Sequence, residues 1–220
     1  MEYKDFEMVL SRGRLRRYLV ACFYNRHRAL NLYRANIRLS GKFLQVVCIV
    51  EIALRNAIDR HYLDRYKNDW VISQTNHGGY LARPECENSR LNAQKAINKQ
   101  GEHYSHDRTI AELNFGFWRY AFGPKEFAAA GSTLLEIFLN RPPGINQKEV
   151  FDRLGEINNI RNRIAHHDPI CFKGAFKSTR KVEDAYYYAI EFIDWLGLNK
   201  TIVLQDIDFV IEEVKHIANI

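Results

Sequence analysis

The densest run of chemically capable side chains is NNIRNRIAHHDPIC, Asn158 to Cys171, which sets two arginines, two histidines and an aspartate among apolar residues. Arginine offers a planar fork of N–H donors that matches a phosphate and stabilises charge building in a transition state. Histidine moves a proton near neutral pH. Arg161 with His166 or His167 therefore supplies what metal-free RNA cleavage needs, since the RNA's own 2′-OH is the nucleophile. Such cleavage leaves a 2′,3′-cyclic phosphate and a 5′-OH. The competing account is an ordinary basic helix end, in which Arg161, Arg163, His166 and His167 complement the negative end of the helix dipole.

A metal centre is not expected. His166 and His167 are adjacent and point to different faces, and no third ligand follows at helical spacing. His103 and His106 form a second pair in the loop HYSH, but two histidines alone do not make a zinc site. No cofactor motif is present, so none is expected.

The elements that must position these groups read as helices. Over 147–167, Val150, Leu154, Ile157, Ile160 and Ile164 share one apolar face, and Arg161 sits beside it. Asn162 and His166 lie four apart on one stripe. Arg161 and His166 are about 140° apart around the axis, so both can reach a cleft at the helix edge. Pro169 disfavours helix at Asp168, which places the helix end near His167 and both histidines in its last turn.

Upstream, 12–24 and 27–39 read as amphipathic helices, with Ser40 a candidate cap for a third from Lys42 to about Tyr66. That third helix is the longest and most apolar and belongs at the centre of the fold. It carries Glu51 and Arg55 four apart, which reads either as an ion pair or as a support for the motif: Glu51 orienting Arg161 or a histidine, Arg55 touching phosphate. Residues 68–84 read as a loop, and 85–100 as a helix with Leu91, Ala93, Ala96 and Ile97 inward. Residues 109–122 and 125–140 read as helices split at Gly123-Pro124, with the FGFW rings of the first more suited to core than to base stacking. Residues 182–196 and 206–217 read as two more. Strict two-residue alternation is rare, so the fold class is all-α. The organisation is one domain over 1–220, with a possible insertion or loop region at 68–106.

Bulk properties fit this. The chain has 220 residues, 46% apolar and 26% charged, which suits a globular protein rather than a disordered one. No apolar run is long enough to span a membrane, and the charged N-terminus does not suit a signal peptide, so a cytoplasmic location is expected. The four cysteines are scattered and read as buried free thiols. Net charge is +6, and residues 1–67 hold 14 Lys and Arg against 6 Asp and Glu. A basic third of this kind attracts polyanions such as RNA.

The spacing R161-NRIA-H166 resembles the arginine–histidine signature of HEPN domains. LSRGRLRRYL (10–19), ALNLYRANIRLS (29–40), VEIALRNAID (50–59), ELNFGFWRYAF (112–122) and IRNRIAHHDPI (160–170) resemble, in that order, segments of the Abi-like (abortive infection) family of bacterial HEPN proteins. The pattern departs at Ala35, where an aromatic is expected, and at Asp168, where Glu is. The resemblance implies a HEPN-like four-helix core with additional N-terminal and inserted helices. It implies a metal-independent endoribonuclease acting as a toxin or phage-defence effector, with a site composite across a homodimer. Arg161 and His166 match the signature, Asn162 fills its polar slot and His167 extends it. Some members bind without cutting. The alternatives are therefore a non-catalytic RNA-binding module, controlled by or sequestering a small RNA, and a protein-interaction domain such as the antitoxin of a pair.

Overall fold

The computed structural model describes residues 3–67 and 69–220. Its helices are α1 (Tyr3–Leu10), α2 (Arg12–Ala21), α3 (Arg26–Tyr66), α4 (Trp70–Thr75), α5 (Glu87–Asn98), α6 (His106–Glu112), α7 (Phe115–Tyr120), α8 (Pro124–Ala129), α9 (Gln147–Ala165), α10 (Arg180–Trp195), α11 (Lys200–Val203) and α12 (Val210–Ala218). A two-residue antiparallel pair, β1 (Phe172–Lys173) and β2 (Phe176–Lys177), makes a hairpin between α9 and α10. The fold is all-α apart from that hairpin. No helix among the described residues is long and apolar enough to cross a membrane.

The axis of the fold is α3, 41 residues long. Asn25 caps it, its side chain accepting from Arg28 N at 3.0 Å. Ala29, Leu32, Ala35, Leu39, Phe43, Val46, Val50, Leu54 and Ile58 are buried along it at three- and four-residue steps. The break expected at Ser40 is absent. Ser40 is buried inside the helix, and its hydroxyl donates to Asn36 O at 2.8 Å. The apolar stripe continues across it, so no helix start is left to cap.

Around α3 lie α9, α10, α2 and α12. Arg38 of α3 and Glu213 of α12 pair at 2.7 Å. Helix α9 begins with a capping box, Asn146 and Glu149 each satisfying the other's backbone N–H. Gly155 of α9 gives room to Arg119 of α7, since a Cβ there would stand 2.8 Å from Nη2. That guanidinium lies 4.0 Å from the Phe151 ring centroid and donates to Phe151 O. Phe115, Phe117 and Trp118 of FGFW are core.

Elsewhere the sequence pattern was too coarse. Of the loop expected over 68–84, Asn68 lies outside the described residues, and 70–75 form α4, capped by Asp69 and rooted by the fully buried Trp70. The helix expected over 109–122 breaks at Asn114, whose side chain caps α7. The one expected over 125–140 shortens to α8 and a 3-10 turn at Leu134–Ile137. Leu91, expected inward, is half exposed, because α5 buries the neighbouring stripe of Ser89, Ala93 and Ala96. Three of the cysteines are buried, but Cys48 is exposed.

Candidate functional site

Helix α9 runs its last turns against α3 and ends at Ala165. His166 is the C-cap and His167 follows in the left-handed region at φ 57°. Asp168 N donates to Arg163 O at 2.7 Å and His167 N to Ile164 O at 2.9 Å. These two bonds close a Schellman motif. Both histidines therefore stand just past the last helical residue rather than within the last turn. His167 fills a place that glycine usually takes, at a backbone cost of about 1 kcal/mol.

Both imidazoles are exposed, and neither hydrogen-bonds within the described residues. Arg161 is half buried on the side of α9 that faces α3. Its Nη1 donates to Asn162 Oδ1 at 3.4 Å, a long contact. Arg163 points the other way and donates to Pro169 O, so it braces the turn that follows the helix.

Across the seam, α3 contributes Glu51 and Arg55. Burial raises the Glu51 carboxyl above its ordinary pKa, while Arg161 and then Arg55 draw it back down. Both guanidiniums thus sit within electrostatic range of one carboxylate. The pairing expected between Glu51 and Arg55 does not form: among the described residues no ion pair within 4.0 Å joins Glu51 to Arg55, and none joins it to Arg161. Instead the Nε of Arg55 is buried with no hydrogen-bond partner. Two guanidiniums thus act on one carboxylate, and a buried donor without a partner carries a desolvation cost.

One positioning residue escaped the sequence reading. Asn36 of α3 is 3% exposed, and its Oδ1 accepts from Ile170 N at 2.9 Å and from Cys171 N at 3.2 Å. It ties the segment after the histidines to the core. The signal was present: an amide on the buried stripe between Leu32 and Leu39, with no partner of its own at short range. Beyond this clamp the Cys171 thiol is pushed up to about 12 by burial, with Arg17 and Arg163 both near enough to oppose it. The chain then enters the β1–β2 hairpin, where Arg17 of α2 donates to Gly174 O and lies 4.5 Å from the Phe172 ring centroid. The basic N-terminal helices and the motif are thereby neighbours.

A second constellation surrounds His106, at the start of α6. Its Nε2 meets Asp59 Oδ1 at 2.8 Å and its Nδ1 meets Asp69 Oδ1 at 3.1 Å. Trp70 Nε1 donates to the same Asp59 oxygen at 2.7 Å, and Tyr104 OH donates to Asp69. Burial alone would push the imidazole pKa down, but the bonds to Asp59 and Asp69 outweigh it and raise it. His103 takes no part and is exposed. Among the described residues no three His, Cys, Asp or Glu side chains are arranged to hold a metal.

A cavity of about 470 Å³ lies along the C-terminal half of α3 between Asn56, Arg60, His61, Glu136 and Leu196. None of the motif residues lines it. Burial lowers the His61 pKa, and its Nε2 is 2.9 Å from Thr133 Oγ1.

Comparison with protein-family models, with curated proteins and with solved structures returned no match in any of the three.

Proposed function

We propose that the protein is a metal-independent endoribonuclease whose site is the α3–α9 seam and the helix end beside it. The observation that carries this reading is the pair of guanidiniums, Arg161 from α9 and Arg55 from α3, which both act on the Glu51 carboxylate beside the exposed imidazoles of His166 and His167. The resemblance to Abi-like HEPN proteins supports it, and implies a toxin or phage-defence role.

Arg161 holds the scissile phosphate and Arg55 adds a second contact. Glu51 orients Arg161. Asn162 bridges the site: it accepts from Arg161 on one side and stands one helical turn before His166 on the other. That stripe favours His166 over His167 as the working imidazole. The 2′-oxygen attacks phosphorus while the imidazole removes its proton. The P–O5′ bond breaks, and the departing oxygen is protonated to a 5′-OH.

A homodimer completes the reading. Along α3, Ile37, Gly41, Leu44, Cys48 and Ile52 recur at three- and four-residue steps, with Ile37 53% and Ile52 45% exposed. Arg55 continues this stripe by one turn. A second copy packed on it would bring two seams face to face. Cross-linking at Cys48 with a short bismaleimide tests the contact: an Ile52→Arg variant is expected to run as a monomer and to escape the cross-link.

The activity test is incubation of labelled RNA with the full chain in EDTA, beside Arg161→Ala and His166→Ala. The expected result is cleavage to cyclic-phosphate ends by the native chain alone. Cleavage that needs a divalent metal, or that both variants retain, overturns the reading. Tight binding without cleavage would make the protein an RNA-binding module. A stable complex with another protein and no RNA affinity would make it an antitoxin-type domain.

A further inference from the structure

Between Ser11 and Val50 the chain contains no Asp or Glu, yet it holds eight arginines and a lysine. Several of those arginines are occupied: Arg28 by the Ile220 carbonyl, Arg38 by Glu213, Arg17 by Gly174 O. Arg16 is exposed and makes no ion pair or hydrogen bond among the described residues. It lies on the outward face of α2 with Gly13, Arg17 and Val20, at positions i, i+3, i+4 and i+7. Opposite them stands Ala175 of the hairpin turn, and the space between is a pit of about 290 Å³.

Gly13 is part of the pit's lining. A Cβ on Gly13 would meet only Ser11 Oγ, at 4.0 Å, so nothing in the fold demands glycine there for close packing. Glycine inside a helix costs roughly 1 kcal/mol against alanine. Here it leaves open floor between two arginines. The hairpin adds an aromatic ring. Lys173 pairs with Phe176, so their side chains share the outer face, while Phe172 turns inward against Arg17 and Tyr18. Phe176 is 80% exposed.

We propose that this surface is a binding subsite for single-stranded RNA: Arg16 takes a backbone phosphate, the pit admits one base, and Phe176 with Lys173 forms a stacking platform for another. Alternating cations and open π-faces, with little donor geometry to read base edges, are the features of sequence-tolerant single-strand binding. A duplex hides its base faces and cannot use the ring or the pit. The inference rests on the nuclease reading for its direction. The hairpin follows the motif by a few residues, held by Asn36, so a strand engaged here is delivered to His166 and Arg161.

The test uses the full chain and a fluorescein-labelled 2′-O-methyl oligonucleotide of roughly 12 nucleotides, which lacks the nucleophile and cannot be cut. Phe176→Ala is expected to weaken binding about tenfold or more, the usual effect of losing one base-stacking ring. Gly13→Leu, which fills the pit at a position with room for a side chain, is expected to weaken it comparably. Arg16→Ala is expected to lower the slope of log affinity against log salt by about one. Circular dichroism verifies that each variant is folded. Folded Phe176→Ala and Gly13→Leu proteins that bind within about twofold of the native chain overturn the subsite. Equal affinity for a blunt duplex also overturns it, as does binding to phosphatidylserine vesicles without binding to RNA. An unmodified strand keeps the two readings apart. Cutting in EDTA with Phe176 irrelevant to binding sinks the subsite and leaves the nuclease. Phe176-dependent binding with no cutting sinks the nuclease and leaves the subsite.

Discussion

Two histidine regions of this molecule differ in how their hydrogen bonds are spent. At His106 both ring nitrogens have carboxylate partners, and those carboxylates in turn hold Trp70, Tyr104 and the first turn of α4. At the end of α9 the two imidazoles are exposed and have none among the described residues, and the Nε of Arg55 nearby has no partner there either. The first arrangement is closed on itself and joins α3, α4 and α6. The second is open. A closed network of partly buried charges contributes to holding elements in place, whereas an open one is available to a ligand. Residue types alone, histidine beside charged neighbours, do not separate the two.

The largest contrast lies in activity against stability. Arg161→Ala and His166→Ala are expected to lower RNA cleavage by about 100-fold or more, with His166→Ala shifting folding free energy by no more than ~0.5 kcal/mol. His106→Ala is expected to do the reverse. It takes the cation from Asp59 and Asp69, both partly buried, and costs about 2–3 kcal/mol in urea unfolding while cleavage by the folded fraction persists. A His106→Ala protein as stable as the native chain would remove the distinction.

Next comes Asn36→Ala, expected to cost about 2 kcal/mol, because two buried N–H groups lose their acceptor. It links the two properties. Cleavage should fall even where the protein is folded, since the segment after His167 is no longer pinned to α3. Hydrogen exchange at Ile170 and Cys171 reads the release directly.

The pH dependence sharpens the clasp further. The folded pKa of His106 is raised above its ordinary 6.5. Its contribution is therefore complete below pH 6.5 and is lost as pH rises through the folded value. The melting temperature of the native chain should exceed that of His106→Gln most at mildly acidic pH, and the gap should narrow on the alkaline side. A gap that widens with pH contradicts the assignment. The smallest effect is His167→Gly, expected to stabilise by up to about 1 kcal/mol by relieving the left-handed backbone. Retained cleavage in that variant assigns the chemistry to His166.

Much of the motif was legible in the sequence for local reasons. Pro169 bounds the end of α9, and the step from Val150 to Ile160 sets which face is buried. Arg161 beside that face follows from helical spacing. Long-range partners were not legible. Nothing local told that Asn36 would be clamped to residues 134 and 135 positions away, or that Asp59, Asp69 and His106 would converge from three elements. The Glu51–Arg55 spacing suggested an ion pair, but among the described residues none forms, and Arg161 from α9 lowers the Glu51 carboxyl more than Arg55 does.

The sequence by itself determined the helical class, the course of the amphipathic stripes and the polar content of the helix end, because periodicity and proline act over a few residues. The tertiary structure decided what those stripes could not. It ran α3 unbroken through Ser40, since an apolar face continuing past a polar residue outweighs a possible cap. It spent the donors of His106 and left the Nε of Arg55 in the α3–α9 seam without a partner among the described residues, because hydrogen-bond partners are assigned by packing across the chain and not by neighbours along it.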